Sequence, residues 1–509
     1  MKKEILVDER EYRPQTCSLF SILIVIFHHI LIGILISFQV YGILIETDLI
    51  QNYFSIGDQQ RIWLIISFFL GMNVSTPIAE YILRAFTNIQ IVFSLTIFYS
   101  LLSFIQGFIS DVYLFTFVRF IAGVVAGALW LFSKFLLDDY IEKRWGKETS
   151  GFLRMYLQMI GFAISALIVG LLCKQMDVGS LFFIDGFIGL FAAFLIIIFF
   201  KKVPKWEGPC LKPDFIGYFL FLFFLFSLRF YLTNLTMPMN PEHQYSLSSK
   251  LSLGTVVTVF VLFIVRCSVS QNPLVNVYFF KKIEFSLAAI VVFMTRAVLF
   301  GPLFVITPIL RNIYGYDHFT IGKIFALFAI CIFLSGIVTR CFENKNKILL
   351  LFGLILLILP SFFYELSKET SLAQIYLLFG LKGGGIGLCL SPVTRFRKKD
   401  VDGTKEEFDS IMSCISFFSA AVTGAVLYTI IFFTSRIYHQ RIIENLSVNV
   451  EFRSFDVSSL SYYIDQLSFL HGYNDAMLCY AFVNSITGAL LVYYMIKREQ
   501  EVKRGLSTT

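Results

Sequence analysis

The chain has 509 residues, of which 57% are hydrophobic and only 15% charged, with 59 Phe and a mean hydropathy of +0.75. A water-soluble protein of this length needs far more polar surface, so the composition excludes that class and identifies a polytopic membrane protein with lipid as its solvent. The net charge of +7 does not indicate nucleic acid, because Lys and Arg sit in short segments between apolar runs and not on one basic, aromatic-interleaved face.

A transmembrane helix needs ~20 mostly apolar residues. Drawn at charged or Pro/Asn-rich breaks, fourteen windows qualify: residues 19–45, 61–82, 89–109, 112–136, 152–173, 178–200, 214–233, 250–268, 284–310, 319–340, 347–365, 371–394, 408–433 and 475–496. The first window is too long for a signal-peptide core and lacks a small-residue cleavage site, so it is expected to stay as a span. Between spans 4 and 5, residues 138–151 read as a charged link. Residues 434–474 are the longest polar stretch, and the sequence reads more readily as an outer loop than as an amphipathic lid.

Basic residues favour cytoplasmic loops, which fixes orientation. With the N-terminus inside, 28 of the 42 Lys and Arg fall on cytoplasmic segments, eight on outer segments, and six within spans: Arg119, Lys134, Arg229, Arg296, Lys323 and Lys382. Losing or gaining one span would reverse every later loop, so the asymmetry calls for an even number with both termini cytoplasmic. Nine cysteines are scattered singly, with no CxxC and no His at metal spacing, so neither a disulfide framework nor a metal site is expected. No cofactor is implied.

Certain strings are more specific. In span 4, FTFVRFIAGVVAGALW places Arg119 four residues before Gly123, with Gly127 four further on. QNPLVNVYFFKKIEFSLAAIVVF leads into span 9, GPLFVITPILRNIYGYDHFTIGKIF joins spans 9 and 10, and LKGGGIGLCLSPVT with DSIMSCISFFSAAVTGAVL forms spans 12 and 13. In order and spacing these resemble the fourteen-spanning drug:proton antiporters of the major facilitator superfamily, over roughly residues 60 to 495. Two strings depart from that pattern. The loop after span 2, PIAEYILRAFTNIQ, keeps only Arg84 of a Gly-x-x-x-Asp-Arg-x-Gly-Arg motif, and span 5, MIGFAISALIVGLLC, lacks the Gly-Pro pair.

The resemblance implies an all-α major facilitator fold. A tail (1–18) would precede an N-terminal six-helix bundle (19–200), a linker with two inserted spans (201–283) and a C-terminal six-helix bundle (284–496) with an outer loop at 434–474, and a tail (497–509) would follow. Substrate would sit near the bilayer midplane, with spans 1, 4, 9 and 12 lining the cavity and one bundle rocking against the other. Arg84, Gly123, Gly127, Pro302 and Pro308 would serve conformational change.

Charged groups at membrane depth are costly and tend to mark pathways. Counting ~1.5 Å per residue puts Arg296 and Lys382 near mid-depth and Arg119 in the outer half of span 4. The expectation is that Arg119, Arg296 and Lys382 share a central cavity; the bland alternatives are that Arg119 braces backbone carbonyls and that the other two pair with polar groups between helices. His28, His29 and Asp185 are the candidates for proton coupling, since buried carboxylates and histidines can titrate near neutral pH. Interhelical hydrogen bonding is the alternative for the two histidines; Asp185, at a depth close to that of Arg119, reads more readily as a structural charge pair within the first bundle. Pro392 joins Pro302 and Pro308 as an expected flex point. The glycines at 383, 384, 385 and 387 fit close helix packing better than phosphate binding, and Arg229 and Lys323 can reach the interface.

The function expected is proton-driven export of small organic molecules or drugs across a bacterial inner membrane. Carriage of organic anions is the alternative within transport. A membrane-embedded enzyme or a substrate-sensing receptor is the alternative of another class, without HExxH, GxSxG or an output domain to support it. The partners are then a small-molecule substrate, protons and the lipid bilayer, with no nucleic acid. A periplasmic adaptor protein is left open.

Overall fold

The structure is a computed structural model that describes residues 19–78, 82, 87–199, 214–236, 247–342, 346–363, 365–396, 405–449 and 457–503. Among these residues the regular structure is entirely helical. In hydrocarbon each backbone N–H and C=O must be paired within its own segment, and helices achieve this without a neighbour. Among the described residues, eleven helical stretches are long and apolar enough to cross a membrane, and two shorter apolar ones are Trp63–Ile78 and Ile348–Phe362. The fourteenth expected window lies on the helix Val457–Lys503. Arg84 lies outside the described residues.

Spans 4 and 5 run almost into each other. The charged link of residues 138–151 is helical on both sides of a single break at Gly146, where φ is +80°. That left-handed backbone is open to Gly at little cost. Residues 434–474, expected as a loop, are instead largely helical: Lys405–Asn449 and Val457–Lys503 continue well beyond spans 13 and 14. Polarity alone misleads here, because the two extensions pack on each other. Tyr438 stacks on His471 with ring centroids 4.9 Å apart, and His439 Nε2 lies 3.2 Å from Asp465 Oδ1.

The helices pack in two groups, spans 1–6 and spans 9–14. Spans 7 and 8 pair with each other, pinned where Arg266 Nη2 meets Asp214 Oδ1 at 2.8 Å, and span 7 rests against spans 2 and 13. Burial is sorted as lipid requires. On span 6, Phe187, Phe194 and Ile197 are exposed while Asp185 is fully buried.

The groups meet along two seams, span 2 against span 13 and span 5 against span 10. The face opposite the basic loops is tightly closed. A Cβ built on Gly322 of span 10 would lie 2.5 Å from the Ala166 carbonyl of span 5. Aromatic contacts extend the seal: Phe69 of span 2 is 4.8 Å from Phe300 and 5.6 Å from Phe304 of span 9, and Tyr41 of span 1 stacks on Phe325 of span 10.

Candidate functional site

A chamber of about 90 Å³ lies between the groups toward the basic-loop face. Span 4 contributes Trp130 and Lys134, span 5 Arg154 and Gln158, span 9 Val292 and Arg296, span 12 Leu390, and span 13 residues from Phe408 to Ser416. Arg296 also borders a smaller apolar recess that holds Val40, Phe69, Phe162, Phe300 and Phe417. One guanidinium therefore divides a polar compartment from an aromatic one.

The sequence reading anticipated spans 4, 9 and 12 on the wall, and span 1 reaches only the recess, through Ile36 and Val40. Spans 5 and 13 were missed. Arg154 sits near the start of the helix Thr149–Leu172 and was not among the site candidates. Gln158 was the available signal: a lone amide in an apolar run, buried completely, with neither its Nε2 nor its Oε1 bonded to another group among the described residues.

Arg296 is 8% exposed, and its Nε has no hydrogen-bond partner among the described residues. Lys134 places its ammonium 4.6 Å from the Trp130 ring centroid. Arg154 is engaged on both sides, 3.0 Å from Asp138 Oδ2 and 2.6 Å from Asp409 Oδ2. Asp138 also accepts a hydrogen bond from Ser150. The pair with Asp409 joins span 5 to span 13 and so ties one bundle to the other.

Arg119 is placed elsewhere. It is completely buried inside the first bundle, where Nε donates to the Leu64 carbonyl (2.9 Å), Nη1 to Gln39 Oε1 (2.9 Å) and Nη2 to the Gln39 carbonyl (3.0 Å). Phe68 and Phe115 flank it. Gln39 then donates from Nε2 to Asp185 Oδ2 at 2.9 Å, and Ser103 donates to the same oxygen at 2.8 Å. Gln39 thus stands between the cation of span 4 and the carboxylate of span 6.

Lys382 is buried in span 12 and borders neither the chamber nor the recess. Of the three expected cations the structure brings Arg296 alone to the wall, accompanied by Lys134 and Arg154. His29 is buried with Nε2 3.4 Å from the Arg154 carbonyl, and His28 is buried beside it on span 1. The helix of span 9 continues through Pro302 to Pro308 and is followed by a π turn, Ile309–Ile313. Each proline removes an N–H and so leaves the carbonyl four residues earlier without its helical donor. The side chain of Pro392 lies outside the described residues.

Gly123 and Gly127 face span 2 at backbone contact: a Cβ on Gly123 would be 2.1 Å from the Phe68 carbonyl oxygen, and one on Gly127 2.3 Å from that of Met72. This is the small-xxx-small crossing by which membrane helices approach closely. The glycine run of span 12 packs similarly, Gly383 on the Phe328 carbonyl and Gly387 on that of Ile332.

Two packed helical groups with a polar chamber between them are the architecture of a rocking carrier. Residues 30–402 match the profile of the Major Facilitator Superfamily. The chain belongs to this superfamily. Among its members, the chain is 22% identical over 386 residues to the multidrug resistance protein Stp of Mycobacterium tuberculosis, covering 75% of this chain and 71% of that one. It is 23% identical over 260 residues to the multidrug export protein EmrB of Escherichia coli, 50% of this chain and 49% of that one. Solved structures share the major facilitator fold. A bacterial homologue of the human lysosomal transporter Spinster, inward-facing and unoccupied, aligns over 94% of this chain and 97% of its own at 14% identity, TM-score 0.58. The human organic anion transporter MFSD10 (TETRAN) aligns over 93% and 99% at 12% identity, TM-score 0.58. This major facilitator chain is a transporter, not an enzyme.

Proposed function

We propose that this chain exports small organic molecules by alternating access, in exchange for protons, across a bacterial inner membrane with both chain ends in the cytoplasm. The observation that carries the reading is Arg296, an ionisable side chain with an unbonded Nε on the wall of a chamber between two bundles. Such a group in hydrocarbon marks a pathway, since burying it without purpose costs at least ~2.5 to 3.5 kcal/mol on insertion scales. The names of the relatives, a multidrug resistance protein and a multidrug export protein, support small organic cargo. The Asp185–Gln39–Arg119 chain supports a proton site, because a proton taken up at Asp185 alters the group to which span 1 is bonded.

The test is flux in proteoliposomes across a chemically diverse compound panel, with and without an imposed pH gradient, for the wild type and for Arg296→Ala and Lys382→Ala. Gradient-stimulated flux that Arg296→Ala abolishes at unchanged protein level is the expected outcome. Flux that ignores the gradient removes the proton, and normal flux in Arg296→Ala removes this chamber from the path. Loss in Lys382→Ala as well would bring Lys382 into the site, although its ammonium borders neither cavity.

A further inference from the structure

We infer that the chamber binds an amphipathic organic monoanion, a carboxylate or sulfonate carried on an aromatic ring, with its acid group at Arg296, Lys134 and Gln158. The inference rests on the transport reading above and names the class of cargo for the same site.

Charge is the first argument. Three cations, Lys134, Arg154 and Arg296, face the chamber, against Asp409 on its wall and Asp138 behind Arg154. Both carboxylates are bonded to Arg154, at 2.6 Å and 3.0 Å, so neither is open to a cationic ligand. Arg296 has no carboxylate partner among the described residues, and one negative charge would supply it. A lipophilic cation would meet two cations and no uncommitted carboxylate, a like-charge arrangement that opposes binding.

Hydrogen bonding is the second. Arg296 Nε and both amide atoms of Gln158 are buried without a partner among the described residues. Unsatisfied buried polar groups are costly, and an acid oxygen arriving between them accepts from the guanidinium and the amide N–H together. Guanidinium presents a fork suited to a planar acid group.

The surroundings give the third. Immediately beyond Arg296 the recess is aromatic, with Phe69, Phe162, Phe300 and Phe417, and Trp130 is shared by both compartments. The present volume of about 90 Å³ is below the roughly 300 Å³ of small ligand pockets, so it accommodates the acid group while the ring requires the bundles to part. The contact to open is Trp130 on Phe417, an inter-bundle pair with centroids 5.9 Å apart.

The experiment uses three probes of one shape on the purified full-length protein: tritiated 2-naphthoate, 2-naphthamide and 2-naphthyltrimethylammonium. Binding is read by scintillation proximity, and each probe is then followed as flux in proteoliposomes. The expected result is at least tenfold tighter binding of the naphthoate than of either other probe, a preference that Arg296→Gln removes and Arg296→Lys retains. Equal binding of the three, tighter binding of the cation, or no binding of any overturns the inference. If Arg296→Gln is not recovered folded, Gln158→Leu removes the second unpaired donor and must weaken the naphthoate while sparing the amide; failure to do so also overturns it. Selective naphthoate binding without flux leaves the site standing and overturns the transport reading, whereas flux of the cation alone does the reverse.

Discussion

Arg154 of span 5 and Asp409 of span 13 form an ion pair across the bundle interface, with Nη1 and Oδ2 2.6 Å apart. The same nitrogen is 3.0 Å from Asp138 Oδ2, so one guanidinium holds carboxylates from both bundles. The seam on the opposite face combines backbone contacts and aromatic rings with His318 of span 10, whose Nε2 lies 3.9 Å from Glu46 Oε2 at the end of span 1.

Replacing Asp409 by Asn should weaken the tie while leaving Arg154 paired with Asp138, and Arg154→Met should leave two carboxylates facing one another without their cation. Breaking a buried pair by removing one partner costs about 3 to 5 kcal/mol, so Arg154→Met is expected to lower the thermal midpoint in detergent more than Asp409→Asn does. In the Asp409→Asn protein, a cysteine placed at Ser413 on the chamber wall should react faster with a water-soluble maleimide than in the parent. An unchanged labelling rate would show that the pair does not hold this face closed.

Gly123→Ala and Gly127→Ala should fail to assemble. Each new methyl group would stand 2.1 or 2.3 Å from a backbone oxygen of span 2, which cannot swing aside as a side chain can. Overpacking of this sort costs about 1 to 3 kcal/mol or more. Size-exclusion chromatography of the solubilised variants checks it, and a monodisperse wild-type-like peak for both would contradict the crossing described here.

Arg119→Lys should destabilise the first bundle despite keeping the charge. An ammonium cannot reproduce the fork that reaches the carbonyls of Leu64 and Gln39 and the Gln39 side chain at once. Stranding one buried acceptor costs about 1 to 3 kcal/mol. A lower unfolding temperature, measured in the same detergent, is the expected readout.

Asp185→Asn should retain hydrogen bonding around Gln39 and Ser103 but cannot exchange a proton, so stimulation of flux by a pH gradient should disappear. The double variant His28→Gln, His29→Gln should flatten the pH dependence of flux, since His29 contacts the backbone of Arg154, which ties the bundles. A pH profile untouched in both proteins would place proton coupling elsewhere.

Much of this architecture was legible from the chain itself. Span windows followed from apolar length, because hydrocarbon thickness is a fixed ruler, and the strings around Arg119 and Gly383 pointed to the superfamily that the match over residues 30–402 shows. The extensions past spans 13 and 14 were not legible as helices. Their polar composition suits a loop as well as a helical hairpin, and only packing such as Tyr438 on His471 distinguishes the two.

The site divides along the same line. Depth in the membrane is set by position along a helix, so the sequence by itself determined that Arg119, Arg296 and Lys382 lie buried among apolar residues. The direction in which each points is set by how its helix is rotated against its neighbours, which apolar periodicity leaves undetermined when a span is apolar on every side. Tertiary structure alone decided that Arg119 turns inward to Gln39 and Leu64, that Lys382 misses the chamber, and that Arg296 shares the chamber wall with Lys134 and Gln158. Charges far apart in sequence acquire a shared chemistry only once packing has chosen which faces of their helices meet.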